Sequence, residues 1–156
     1  MLKIKIDNTD KRILRELQKN ARLSNVELAE QVGLSPSPCL ARVKSLTQRG
    51  IIKRHVTLVD PEKVDLALTV FIRISLEQQS ERALENFEKS ISTLPEVLEC
   101  YLMTGDSDYL IRVVAADVNT LKDFILNHLT GVEGISNIRS SLALKQVKYE
   151  TALPLA

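Results

Sequence analysis

The chain has 156 residues, 44% of them apolar, with five Gly and five Pro: enough to bury a core in one compact domain or two small ones, and too apolar for a disordered segment. No apolar run approaches the ~20 residues of a membrane span, and the opening MLKIKIDNTDK lacks the apolar stretch and small residues of a cleavable leader, so a cytoplasmic protein is expected. The net charge of +1 conceals a split: residues 1–54 hold twelve Lys and Arg against five Asp and Glu (+7), and residues 55–156 hold nine against fifteen (−6).

A basic half joined to an acidic one implies a polyanionic partner for the first and a separate task for the second. Cys39 and Cys100 are too few and too far apart for a disulfide framework or a zinc site, and His55 and His128 have no ligand-spaced neighbour. No cofactor, metal or redox chemistry is expected. His55 sits beside Lys53 and Arg54 and reads as part of a solvated basic edge.

In chain order, Thr9–Asn20 carries Ile13, Leu14 and Leu17 at the spacing of one helical stripe. Ser24-Asn25-Val26-Glu27 is a capping box that starts a second helix running to about Val32, and Gly33 follows where a chain leaves a helix through a left-handed residue. Ser35 then caps a third helix whose first turn contains Pro36 and Pro38, positions where a missing N–H costs little. At 100° per residue Cys39, Val43 and Leu46 share one stripe, Cys39 as a small buried hydrophobe. Ser37, Ala41, Lys44, Ser45 and Gln48 face the other way, with Arg42 and Arg49 on the flank.

Three short helices with a glycine-containing turn before a basic third helix describe a helix-turn-helix, whose last helix enters the major groove. Small and hydrogen-bonding residues on the outward face suit base edges, and flanking cations suit phosphates. The residues expected at the DNA are therefore Ser35, Ser37, Pro38, Arg42, Lys44, Ser45, Gln48 and Arg49. A generic three-helix bundle with a solvated charged face is the alternative.

Gly50 ends the third helix, and IIKRHVTLVD (51–60) reads as a strand-like connector before Asp60-Pro61. Beyond it the pattern predicts a strand over Ala67–Leu76, a helix over Ser80–Thr93, strands over Val97–Met103 and Tyr109–Ala115 joined by Thr104–Asp108, a helix over Val118–Leu129 with His128 packed on its stripe, and a last strand around Ile138–Val147. The order βαββαβ with right-handed crossovers gives a ferredoxin-like sheet with both helices on one face. Thr69, Phe71, Tyr101 and Met103 lie on the uncovered face, which a second subunit is expected to hide. The fold class is α+β, with a helix-turn-helix domain of winged-helix type over 1–50, a hinge over 51–65 and a sheet domain over 66–156.

The Gly105 turn has two readings. Backbone N–H groups of a glycine turn can take the carboxylate of a zwitterion, with Asp106 or Asp108 as acceptor for its ammonium group; Gly-Asp-Ser-Asp is also ordinary turn chemistry.

The helix-turn-helix ending LSPSPCLARVKSLTQRGII, the connector with DPEKV and the βαββαβ half with TGDSDYL together resemble the Lrp/AsnC family, the feast/famine regulators of bacteria and archaea. The resemblance covers essentially the whole chain. It implies an amino-acid-responsive transcription factor, not an enzyme, that binds double-stranded DNA, dimerises through an ACT-like sheet half and assembles into octamers or similar rings. It also implies that a small neutral or apolar amino acid, such as leucine or methionine, binds between sheet domains, with Met103 and Thr104 near Gly105, Asp106 and Asp108. Two alternatives share the scaffold: a haem-pathway decarboxylase subunit, which would need cofactor-facing His and Arg residues where the sheet half has only His128, and a DNA-compacting protein of low sequence preference.

Overall fold

The computed structural model describes residues 6–155. The first five residues, on which the expectation about a leader partly rests, and Ala156 lie outside them. The chain divides into two units: Val59–Val147, and the residues up to Leu58 together with the segment from Lys148 onward. The sequence reading puts 148–156 with the sheet. In the structure Arg15 donates to the Leu155 carbonyl at 2.9 and 3.1 Å, and Gln18 exchanges two hydrogen bonds with the backbone of Leu153, which binds that segment to the helices.

In the helical unit α1 spans Asn8–Lys19, α2 Asn25–Val32 and α3 Pro36–Gln48. α1 begins one residue before its expected start because Asp7 caps it: the Asp10 N–H donates to Asp7 Oδ1 at 2.7 Å and the Asp7 N–H to Asp10 Oδ2 at 3.3 Å. Ser24 and Glu27 form the expected box at α2. The Leu34 N–H reaches the Ala29 carbonyl and that of Gly33 the Glu30 carbonyl, a Schellman exit that requires the φ of +67° at Gly33. α3 leaves in the same way through Gly50.

Ser35 precedes α3 as expected, but its hydroxyl makes no capping bond. A cap of this kind accepts from the N–H of the second or third helical residue, and the third is Pro38, which has none. The buried stripe of Cys39 and Leu46 packs with Ile13, Leu14, Leu28, Ala29 and Val32.

A polar contact fixes α3 from the side. One nitrogen of Arg42 donates to Asp7 Oδ2 at 2.7 Å and to Asp10 Oδ1 at 2.8 Å, so each carboxylate spends one oxygen on the α1 cap and the other on the guanidinium. After α3, residues 51–60 form no strand. Ile51 and Ile52 instead donate their N–H groups to the Leu46 carbonyl and pack under the helical core.

The sheet unit contains β1 (Leu68–Leu76), α4 (Glu81–Ile91), β2 (Val97–Leu102), β3 (Tyr109–Ala115), α5 (Val118–Phe124, continued by a π-helical turn over Ile125–Leu129) and β4 (Ile135–Leu142). All pairings are antiparallel, in the order β2-β3-β1-β4. The alternation read from β1 holds: Val70, Ile72 and Ile74 are buried with Ile111 and Val113 under Phe87 and Ile91 of α4 and Phe124 and Leu129 at the α5 end. Both helices cover that face. The other carries Phe71, Tyr101 and Met103, 38 to 52% exposed, and a half-buried Thr69.

Two expectations shift for physical reasons. β4 starts directly after Gly134 and stops at Leu142, whose partner Val70 lies near the start of β1, so little strand remains to pair with. His128 is exposed, its ring 5.8 Å from that of Phe124, because the wide π turn brings Leu129 onto the core in its place.

The Asp7 carboxyl lies below its ordinary range, held there first by the Asp10 N–H and then by Arg42. A carboxyl depressed on folding stabilises the folded state above its unfolded pKa and gives that stability up as pH falls through the folded value. Melting followed by circular dichroism should therefore weaken below about pH 4. Asp7→Asn, which retains a capping side chain, should lose part of that acid dependence; identical acid profiles would remove this carboxylate from the stability of the helical unit.

Candidate functional site

α3 stands on Cys39 and Leu46, neither more than 1% exposed, with Val43 half-buried. Burial holds the Cys39 thiol above its ordinary pKa, as befits a core residue. The helical step then turns Ser37, Ala41, Lys44 and Gln48 outward as one exposed arc, with Ser35, Pro38 and Arg49 exposed at its ends. The Asn25 side-chain amide donates to the Pro36 carbonyl at 2.7 Å, tying the proline entrance to the first residue of α2. Two residues of the sequence-based set differ from the rest. Ser45 is half-buried, and Arg42 is engaged by two carboxylates that raise its pKa, Asp7 first.

In the sheet unit the turn after β2 is closed by the Met103 N–H on the Asp108 carbonyl at 2.8 Å, and Gly105 adopts a φ of +117°, open to glycine and strained for other residues. The two aspartates beside it do different work. Asp108 accepts from the Leu76 N–H at 2.7 Å and from the Gln79 amide at 2.6 Å, so both its oxygens bind the turn to the end of β1. Asp106 is exposed and borders a hollow of about 40 Å³ with Ser107, Arg73, Ser75, Asn137 and Arg139. Met103 and Thr104 are exposed on the same turn.

The sequence could not bring Arg73, Asn137 and Arg139 to this turn, because they meet only through the register Arg73↔Arg139 and Ser75↔Asn137 between β1 and β4. On the same face Arg112 donates twice to Glu99, at 2.5 and 2.9 Å, and the Tyr101 hydroxyl donates to the other Glu99 oxygen. Arg112 thereby holds the Glu99 carboxyl below its ordinary range.

A larger hollow of about 490 Å³ lies along the edge strand β2 beside α4, where Glu88 and Cys100 are among its walls. Partial desolvation along the strand edge and then the Glu88 carboxylate push the Cys100 thiol above its ordinary pKa, although the side chain remains exposed. Glu88 also accepts from the buried Tyr109 hydroxyl at 2.8 Å, under the Phe87 ring. Among the described residues no helix is long and apolar enough to cross a membrane.

Comparison with known proteins assigns both units. Residues 6–53 match the winged helix-turn-helix DNA-binding family, and residues 69–153 match the Lrp/AsnC ligand binding domain. The transcriptional regulator AzlB of Bacillus subtilis is 38% identical over 97% of either chain. The leucine-responsive regulatory protein of Escherichia coli is 36% identical over 95% of this chain and 90% of its own. Among solved structures, a transcriptional regulator of Neisseria meningitidis in complex with L-methionine superimposes with a TM-score of 0.91 at 44% identity, over 96% of this chain and 97% of that one. With a helix-turn-helix unit and an amino-acid ligand-binding unit in one chain, the protein belongs to the Lrp/AsnC family of transcriptional regulators.

Proposed function

We propose that α3 enters the major groove of operator DNA, with Ser37, Lys44 and Gln48 at its centre and Ser35, Pro38 and Arg49 at its ends. The observation that carries this is the exposed, small and polar arc of α3 opposite a fully buried Cys39–Leu46 seam. Arg42 acts beneath that arc, holding α3 to the start of α1.

We further propose that a small neutral amino acid, leucine or methionine in class, binds at the Gly105 turn and alters DNA binding through assembly. The L-methionine complex of the Neisseria regulator supports this class. A ligand shifts an equilibrium only by its differential affinity for the two states, and such couplings are typically ~1–3 kcal/mol. The assembly is a homodimer built through the open sheet face, and dimers join into an octamer; the exposed Phe71, Tyr101 and Met103 give that face something to bury. A non-enzymatic, cytoplasmic regulator fits these assignments, since the relatives named above are regulators.

Two measurements check the reading. In titrations against operator DNA at several salt concentrations, Lys44→Ala should weaken all sequences alike and lower the salt slope by about one unit per half-site, with unchanged melting; Arg42→Ala should lower melting and affinity together. A Lys44→Ala protein with parental slope and affinity would place α3 outside the groove. In sedimentation, Phe71→Glu should shift the full-length protein toward monomer, because it places a charge in a face that pairing must dry; a variant that sediments as the parent does would move dimerisation elsewhere.

A further inference from the structure

Residues from Lys148 onward follow the sheet unit in the chain yet belong to the helical one. What holds them there is recognition of main chain. The Gln18 amide donates to the Leu153 carbonyl at 3.2 Å while its oxygen accepts from the Leu153 N–H at 2.6 Å, so one side chain answers a backbone donor and acceptor as a neighbouring strand would. Three residues earlier, on the same face of α1, the Arg15 guanidinium donates through Nε and Nη2 to the Leu155 carbonyl. Leu153 is 70% exposed, so Gln18 holds its backbone and not its side chain; Leu155 supplies the apolar contact, packed on the helical core. Pro154 between them fixes its own φ and biases Leu153 to extended backbone, which lowers the entropy lost on docking.

Docking gives the chain a second crossing between its units. The first is the hinge, from Lys53, after the packed Ile51 and Ile52, to Ala67, before β1. The second runs from Leu144, after the Ala143 N–H bonds the Thr69 carbonyl at 2.9 Å, to Ala152, before the docked residues. Extended chain covers ~3.3–3.6 Å per residue, so the hinge reaches about 50 Å at most and the second link about 30 Å. The shorter link limits how far the units can part. If residues 153–155 leave α1, only the hinge remains, and the volume open to a helical unit, which grows with the cube of the reach, rises about fivefold.

We infer that α1 carries a docking site for residues 153–155 of this chain, and that Arg15, Gln18 and Leu155 are positioning residues for DNA binding: they confine the helical units so that the two in a dimer meet two half-sites together. The inference rests on the reading of α3 in the groove and on the homodimer, and adds to them a helix that makes none of the proposed groove contacts. Once one helical unit is bound, engagement of the second half-site is intramolecular and follows the effective concentration, which falls as the accessible volume grows. A single half-site is indifferent to that volume. The contact therefore has a signature that mere stabilisation of α1 lacks. The same segment of a second copy could take the site through the same bonds, and the test separates the two sources.

The test compares two duplexes selected with the full-length parent from random sequence, one carrying both half-sites and one cut back to a single half-site, in titrations at fixed salt. Gln18→Ala, which removes both bonds to Leu153, and Leu155→Asp, which withdraws the apolar contact, should each lose up to about fivefold in affinity for the double site and nothing for the single one. Insertion of about ten Gly and Ser residues between Lys145 and Gln146 should produce the same loss with parental melting, since it lengthens the link past the hinge and leaves the docked residues alone. Equal losses on both duplexes, or an insertion variant that binds the double site as the parent does, overturn the inference and reduce the contact to a stabiliser of α1. Variants that shift toward monomer in sedimentation overturn it in favour of exchange of the segment between copies. A parent that binds the double site no more tightly than the single one brings down the paired reading of DNA itself, and this inference with it.

Discussion

Arg42 donates from one guanidinium nitrogen to Asp7 and Asp10, and those two carboxylates in turn cap the helix that α3 leans on. Secondary and tertiary structure are joined at that point. The cap places two negative charges close together, which is tolerable because backbone N–H groups and a cation share them; the cation in turn has a fixed direction because the cap is ordered. A change at Asp7 or Asp10, outside α3 itself, therefore acts on how that helix is presented. The apolar seam under α3 sets which side faces out, and the Arg42 contact resists its sliding along that seam.

The sheet unit solves a similar problem with a carboxylate in the central role. Asp108 ties the turn to the end of β1 through a backbone N–H and a side-chain amide, which stiffens a loop containing a left-handed glycine. Asp106, two residues earlier, makes no such tie and remains exposed. Gly-Asp-Ser-Asp thus divides its labour: the second aspartate holds the turn in place and the first is presented by it. A motif that looks symmetric in sequence is asymmetric in use.

Much of this is legible in the sequence alone, where the signal is local. The Ser24–Glu27 box, the Gly33 exit and the alternation of β1 depend on residues within a few positions of one another, and all three appear as read. The family resemblance carried by LSPSPCLARVKSLTQRGII and TGDSDYL was equally legible. What escaped required a partner distant in sequence or a count of donors. Arg42 reads as a surface cation until Asp7 and Asp10 are brought across from another helix. Ser35 reads as a cap until Pro38 is seen to remove the N–H it would bond. Residues 51–60 have strand-like composition, yet a strand also needs a neighbour, and among the described residues none pairs with them. The Arg73–Arg139 pair exists only once the register of β1 and β4 is fixed.

The contacts of Arg15 and Gln18 with the segment at Leu153–Leu155 have a consequence for the order in which the protein is made. Gln18 and Leu153 are 135 positions apart. At ribosomal speeds of about 5–20 residues per second, α1 emerges on the order of ten seconds before its last partners exist. During that interval the helical unit must persist on its own three helices, while the sheet, whose pairings are all antiparallel, is still being delivered. Leu155, which packs against the edge of the helical core, arrives as a late seal on a structure already assembled.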